Sequence, residues 1–209
     1  MSAKRETSAG VVIICNDDNL GPCVLMLKVY GNYDLPKGHV DIEDADDPSK
    51  VGTEDQIRNT AKREALEECG FTIMDNPNFP LTSSEQIARL VYTNEMPITC
   101  AIFNTRDSQL KSELQRKIVV SGFDNLHEDE LKIIKKVVYL YVAETQCQAA
   151  SIEKSPSGIY EHDSYMWCPH NLIEGSRLNG YLKPGVEKAL SVYKLHKKVE
   201  EAIRKLPRI

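Results

Sequence analysis

Three glutamates, Glu64, Glu67 and Glu68, stand at i, i+3 and i+4 in a run of helix formers, with Arg63 directly before them. On a helical wheel with Ile57 at zero, Ala61, Ala65 and Cys69 fall at about 40°, 80° and 120°, a stripe of small side chains suited to burial. Glu64 and Glu68 fall at about 340° and 20°, at the edge of that stripe, and Glu67 at about 280° beside them. Carboxylates so placed repel one another and resist burial. Hard divalent cations, Mg²⁺ or Mn²⁺, relieve both costs and leave coordination positions for phosphate oxygens and water. Arg63 lies one turn from Glu67 and can orient it. The same run would also serve as a solvated helix face, and its surroundings decide between the two readings.

The helix that carries these residues begins at Thr53. Thr53-x-x-Gln56 has the form of a capping box, and Gly70 is placed to end the helix in a left-handed conformation. Before it, Ser8 to Cys15 and Val24 to Val29 read as two strands joined by a polar turn. Tyr33 to Pro36 is a third extended piece leading into Lys37-Gly38-His39, and Asp41 to Gly52 is an acidic loop. Beyond the helix, Phe71 to Met74, Ile98 to Phe103, Val137 to Ala143 and Tyr165 to Cys168 are predicted strands. Asp107 to Lys117, Glu128 to Lys135, Leu172 to Leu178 and Pro184 to Lys205 are predicted helices. This order predicts an α/β (α+β) fold, an α/β/α sandwich with a mixed sheet plus a C-terminal helix.

With 209 residues and 41% apolar content the chain suffices for one self-supporting domain, and no linker or repeat divides it. Residues 1–7 are expected to be disordered, 41–52 to be a loop insertion and 184–209 to form the terminal helix. No apolar run is long enough to span a membrane, and no secretory signal is recognisable. The six cysteines, at 15, 23, 69, 100, 147 and 168, are irregularly spaced with no C-x-x-C pair, which predicts buried free thiols in a reducing compartment, the cytoplasm. His162, Cys168 and His170 lack the complementary pair that a zinc site requires.

The net charge of −5 conceals two opposed blocks. From Asp34 to Glu68 there are eleven acidic and five basic residues, and from Lys183 to Ile209 eight basic and three acidic. Val186, Leu190, Tyr193, Val199, Ala202, Ile203 and Leu206 recur at roughly helical spacing in the basic block, which predicts an amphipathic helix packed on the domain.

Gly38, an acidic loop and Arg63-Glu64-Ala65-Leu66-Glu67-Glu68-Cys69-Gly70-Phe71 together resemble the Nudix box, G-x5-E-x7-R-E-U-x-E-E-x-G-U, where U is apolar. The second half agrees at every specified position. The first half departs: Asp44 satisfies the spacing from the glycine and Asp55 the spacing to the arginine, so eleven extra residues intervene and neither candidate is Glu. Val29 to Asp41, with its P-K-G-H-V-D, Lys136 to Ala143 and Tyr160 to Trp167 resemble segments of the asymmetrical diadenosine tetraphosphate hydrolases within that superfamily.

The resemblance implies a pyrophosphohydrolase in which Glu64, Glu67, Glu68 and the Gly38 carbonyl bind Mg²⁺, or Mn²⁺ in its place. It implies Glu64 or Glu161 as general base, with Arg63 and Glu67 in the catalytic group. Lys37, His39 and Lys136 are candidates to contact phosphate, and Tyr33, Tyr139 and Tyr141 to stack a base. The implied substrate is a nucleotide polyphosphate, with a dinucleoside polyphosphate first. A capped or triphosphorylated RNA end and an inositol pyrophosphate are alternatives, and a binding protein without catalysis is the competing class. No membrane or DNA partner is expected. The stretch from Asn76 to Lys135 and the basic tail lie outside the resemblance.

Overall fold

The computed structural model describes residues 6–45, 52–91, 97–152 and 162–206. Its centre is β1 (Glu6–Asp17), paired in parallel with β8 (Ile134–Thr145) from Glu6↔Lys136 to Cys15↔Thr145. On one side β1 pairs antiparallel with β2 (Gly21–Val29), which continues to β3 (Asn32–Asp34) and β9 (Ser164–Pro169). At its N-terminal end β1 also pairs with the short β4 (Lys37–His39). On the other side, β8 pairs antiparallel with β6 (Ile87–Leu90), itself parallel to β5 (Thr72–Met74), and with β7 (Ile98–Phe103). The sheet is mixed, as its sequence pattern predicts.

The unbroken burial of Ser8 to Cys15 has a structural reason: β1 is covered on both faces. Ala9, Val11 and Ile13 point to one side and pack with Ala61, Ala65 and Cys69 of α1 (Glu54–Cys69). Val12 and Ile14 point to the other and join Val186, Leu190 and Tyr193 of α4 (Lys183–Arg204). A third cluster, Leu114 and Ile118 of α2 (Ser108–Ser121) with Ala101, Phe103 and Val137, accounts for much of the stretch outside the resemblance. The short α3 (Glu128–Lys132) follows and delivers the chain to β8.

Several sequence expectations are corrected. The strand pattern begins at Glu6, so residues 6 and 7 are paired rather than disordered. Leu172 to Leu178 is not a helix: a 3-10 turn, His170–Leu172, is closed by Ile173 N–H donating to the His170 carbonyl, and Gly175 follows. The predicted helix from Glu128 ends at Lys132 because Ile134 is already in β8. The strand Ile87–Leu90 was not expected; Arg89 interrupts its apolar pattern, yet it pairs with Glu144 of β8 both in register and by salt bridge. Thr53 caps α1 by position but makes no side-chain capping bond. Gln56 instead ties the acidic segment down, accepting from Gly52 N–H (2.5 Å) and donating to the Asp41 carbonyl (2.6 Å).

The terminal helix makes its apolar packing through its first half and is tied further on by ion pairs of Lys197 and Glu200. Leu195, Val199, Ile203 and Leu206 are 49–65% exposed, because a 22-residue helix, about 33 Å long, outruns the sheet it lies on. All six cysteines are buried and unpaired. Among the described residues no helix is long and apolar enough to cross a membrane.

Candidate active site

The antiparallel pairing of β4 with β1 sets Gly38 opposite Ala9, directly over α1. A Cβ at position 38 would overlap the Glu64 carboxylate, so the glycine is what permits this approach. Glu64 is 8% exposed. Burial first, then the neighbouring Glu68, pushes its carboxyl up to about 7, against the opposing pull of Arg63.

Arg63 organises the cluster. Its Nη1 lies 2.8 Å from Glu64 Oε1 and donates to Glu67 Oε2 at 3.0 Å, confirming the one-turn relation on the wheel. Its Nε and Nη2 grip Asp44 through both carboxylate oxygens, at 2.7 and 3.1 Å, and Nη2 also donates to the His39 carbonyl at 3.1 Å. Hydrogen bonding to Asp44, more than any other contact, holds the guanidinium firmly in its charged form. Burial works to raise the Asp44 carboxyl, but Arg63, the Thr60 hydroxyl at 2.7 Å and the Asp41 N–H at 3.1 Å outweigh it and hold it below the usual range.

This decides between the two acids that the sequence left open. Asp44 is buried and braces the arginine, whereas Asp55 is half-exposed and pairs with Arg58. The extra residues therefore enter after the bracing acid, between Asp44 and α1. Asn59 closes the gap by donating to the Asp44 carbonyl at 3.1 Å.

Glu68 faces the other way. Its Oε2 accepts the Lys37 backbone N–H at 2.8 Å, and its Oε1 lies 3.0 Å from His162 Nε2. His162 is 7% exposed, and the angle to Glu68 does not make a hydrogen bond. Neither ring nitrogen has a hydrogen-bond partner among the described residues. Lys37 Nζ donates to Asp34 Oδ2 at 2.9 Å, and Asn179 donates to the same oxygen at 3.2 Å. Burial works to lower the Lys37 ammonium, but Asp34, Tyr181 and Glu68 outweigh it. Lys136, on β8, is pulled below its ordinary value by burial and then by Lys37, which places it beside the same site.

The structure thus brings together Gly38, Arg63, Glu64, Glu67, Glu68, Lys37 and Lys136. Glu67 is exposed, and the His39 side chain points to solvent while its carbonyl serves Arg63. Tyr141 is not available to stack a base: it is 6% exposed in the core under α1, its hydroxyl 3.4 Å from the Glu54 carbonyl. Tyr33 and Tyr139 are half-buried against the core clusters. Glu161 lies outside the described residues. Asp34, Thr60, Asn179 and Tyr181 were missed; Asn179 and Tyr181 sit about 140 positions from Lys37 with no motif to link them.

The three helix glutamates do not converge on one point. Among the described residues only Glu144, His196 and Glu200 bring three ligand atoms that close together. That trio already holds Arg89 and Lys197 as counter-ions, so it reads as an ion-pair network tying α4 to β6 and β8.

No protein-family model matches the chain, and no curated protein does either. Among solved structures it is similar to the Nudix domain of Shewanella oneidensis NrtR complexed with ADP ribose, over 95% of this chain and 90% of that one, with 14% identity and a TM-score of 0.50. The fold is that of a Nudix domain. Looser similarity extends to an Escherichia coli dihydroneopterin triphosphate pyrophosphohydrolase (17% identity, 90% and 97% covered, TM-score 0.47). It extends also to a Caenorhabditis elegans Ap4A hydrolase (15% identity, 96% and 99% covered, TM-score 0.41). Within this fold, β4 carries Gly38 and α1 carries the run from Arg63 to Glu68.

Proposed function

We propose that the chain is a metal-dependent pyrophosphohydrolase that cleaves a diphosphate linkage in a nucleotide derivative, with a dinucleoside polyphosphate such as diadenosine tetraphosphate as substrate. The observation that carries this reading is the braced carboxylate cluster of α1, set under Gly38 and flanked by Lys37 and Lys136. A mere structural helix face would not bury Glu64 beside Glu68, where ionisation is penalised.

The residues fit a hard divalent cation. All donors are oxygens, and Gly38 lets the Glu64 carboxylate, whose ionised form is penalised by burial and Glu68 and would be stabilised by a cation, lie beside its backbone. Glu64, Glu67, Glu68 and the Gly38 carbonyl would hold Mg²⁺, or Mn²⁺, which when bound neutralises the diphosphate and lowers the pKa of a water molecule. Lys37 and Lys136 hold phosphate oxygens. Arg63, anchored by Asp44, fixes the rotamers of Glu64 and Glu67. Glu64 and Glu161 are the two carboxylates proposed to accept the proton of the attacking water. The six buried thiols support residence in the cytoplasm.

Product analysis with Mg²⁺ tests the reading on diadenosine tetraphosphate, a cap dinucleotide, capped RNA, an inositol pyrophosphate and ATP, each beside Glu68→Gln. Release of ATP and AMP from the first, lost in the variant, is the expected result. Turnover of RNA alone would move the function to RNA end processing, a reading supported by the exposed Lys194 and Lys198 of α4 and Lys205 directly after it. No turnover of any substrate would leave a binding protein.

A further inference from the structure

A cavity adjoins the catalytic cluster, built largely by the part of the chain that lies outside the resemblance. It has a volume of about 690 Å³ and lies between β7, α2 and the start of α4, walled by Ile102, Phe103, Pro184 and Tyr181 with Ser112 and Gln115. That volume is in the range of small-molecule sites, as is the mixture of an apolar wall with few polar groups.

Two observations join it to the catalytic cluster. The Tyr181 hydroxyl faces the Lys37 ammonium, while burial, its main influence, pushes the phenol up to about 12. Ile102 is the cross-strand partner of Lys136, so the two side chains are neighbours on one face of the sheet.

The charges continue along the same route. Lys111, Arg116 and Lys183 line the cavity against Glu174 and Glu187, and Glu187 is already engaged by His170 at 3.2 Å. The cations exceed the carboxylates of the lining by one, and Tyr181 and Ile102 connect this lining to Lys37 and Lys136. An anionic group suits that excess.

Gln115 fixes the wall of the cavity. It is 4% exposed, and its Oε1 accepts the Ala101 N–H at 3.0 Å, which ties α2 to β7. The apolar wall and the lysines and arginine beside it suit a group with an apolar face and an attached anionic chain, which is the chemistry of a nucleoside phosphate.

We propose that this cavity binds the nucleoside at the far end of the substrate, the second nucleoside of a dinucleoside polyphosphate, with α2 as its outer wall. The proposal rests on the function proposed above. It separates substrates with a nucleoside at both ends from those with one.

The test uses the full chain with Ser112→Trp, which fills the cavity from an exposed position of α2, and Arg116→Glu, which reverses a charge at its rim. Val120→Trp, at an exposed α2 position outside the cavity, is the control for added bulk. Matching melting temperatures check that each variant folds. With Mg²⁺, the cavity variants should raise the KM for diadenosine tetraphosphate by about tenfold relative to that for ATP, the scale of one lost stacking or charged contact. Val120→Trp should not. An unaltered KM ratio in both cavity variants overturns the proposal while leaving the hydrolase reading intact.

A second readout is independent of turnover. In EDTA, calorimetric titration should show AMP binding to the unaltered protein and to Glu68→Gln, and not to Ser112→Trp. That pattern in a protein that hydrolyses nothing would support the cavity and remove the hydrolase reading. AMP binding that survives Ser112→Trp, or that is absent from every form, overturns the cavity.

Discussion

Replacing Glu64 by Gln removes a charge that the fold holds at a cost while keeping the side-chain volume and an oxygen for Arg63. Burial, reinforced by Glu68, places the Glu64 carboxyl at about 7 against an ordinary 4.5. A carboxyl whose folded value exceeds its unfolded one carries extra proton in the native state between the two. Its contribution to stability is therefore present on the acid side and is lost as pH rises through about 7. The difference corresponds to about 3 kcal/mol. Urea denaturation of both proteins in EDTA from about pH 5 to about pH 8 measures it, since groups common to both cancel in the comparison. Relative to Glu64→Gln, the unaltered protein should lose about 3 kcal/mol across that range, or about 6–12 °C in melting temperature for a domain of this size. Mg²⁺ at about pH 8 should recover the loss in the unaltered protein and stabilise the variant, which keeps Glu67 and Glu68, by less. Stability curves that run parallel with pH would refute the argument that Glu64 is ionised against the preference of its site.

Asp44→Ala strips Arg63 of its two-pronged partner and should cost about 3 kcal/mol by chemical denaturation, with a severe loss of turnover, whereas Asp55→Ala should stay within about 0.5 kcal/mol. Gly38→Ala forces the Glu64 carboxylate aside and should lower kcat by about 100-fold in a protein whose circular dichroism is unaltered. Tyr141→Phe removes one long hydrogen bond in the core; steady-state kinetics should show no change in KM, and stability should fall by less than about 1 kcal/mol.

The fold was legible where burial imposes a period. The small-residue stripe of α1, the apolar run of β1 and the extent of β7 follow from which side chains must leave water. Arg89 hid the strand Ile87–Leu90 because its charge is satisfied by Glu144, 55 positions away, and a local pattern carries no sign of a distant partner. Tyr141 misled for the converse reason: an aromatic residue on a strand suits a ligand platform and a core equally, and strand parity turned it inward. Within the site, the glutamates and arginine were legible because their relation is local to one helix. The bracing acid was not, since Asp44 and Asp55 each satisfy one spacing and only a folded chain shows which one Arg63 reaches.

The grip of Arg63 on Asp44 makes the number of residues between them nearly irrelevant. Both ends of that stretch are pinned, by Asn59 and Arg63 to Asp44 and by Gln56 to Asp41, so lengthening it only enlarges a loop whose ends are already fixed in space. Each doubling of such a loop costs only about 0.6 kcal/mol. The position after Asp44 is thus a natural insertion point, where a tag or a small domain could be added without disturbing the register of the glutamates beneath Gly38.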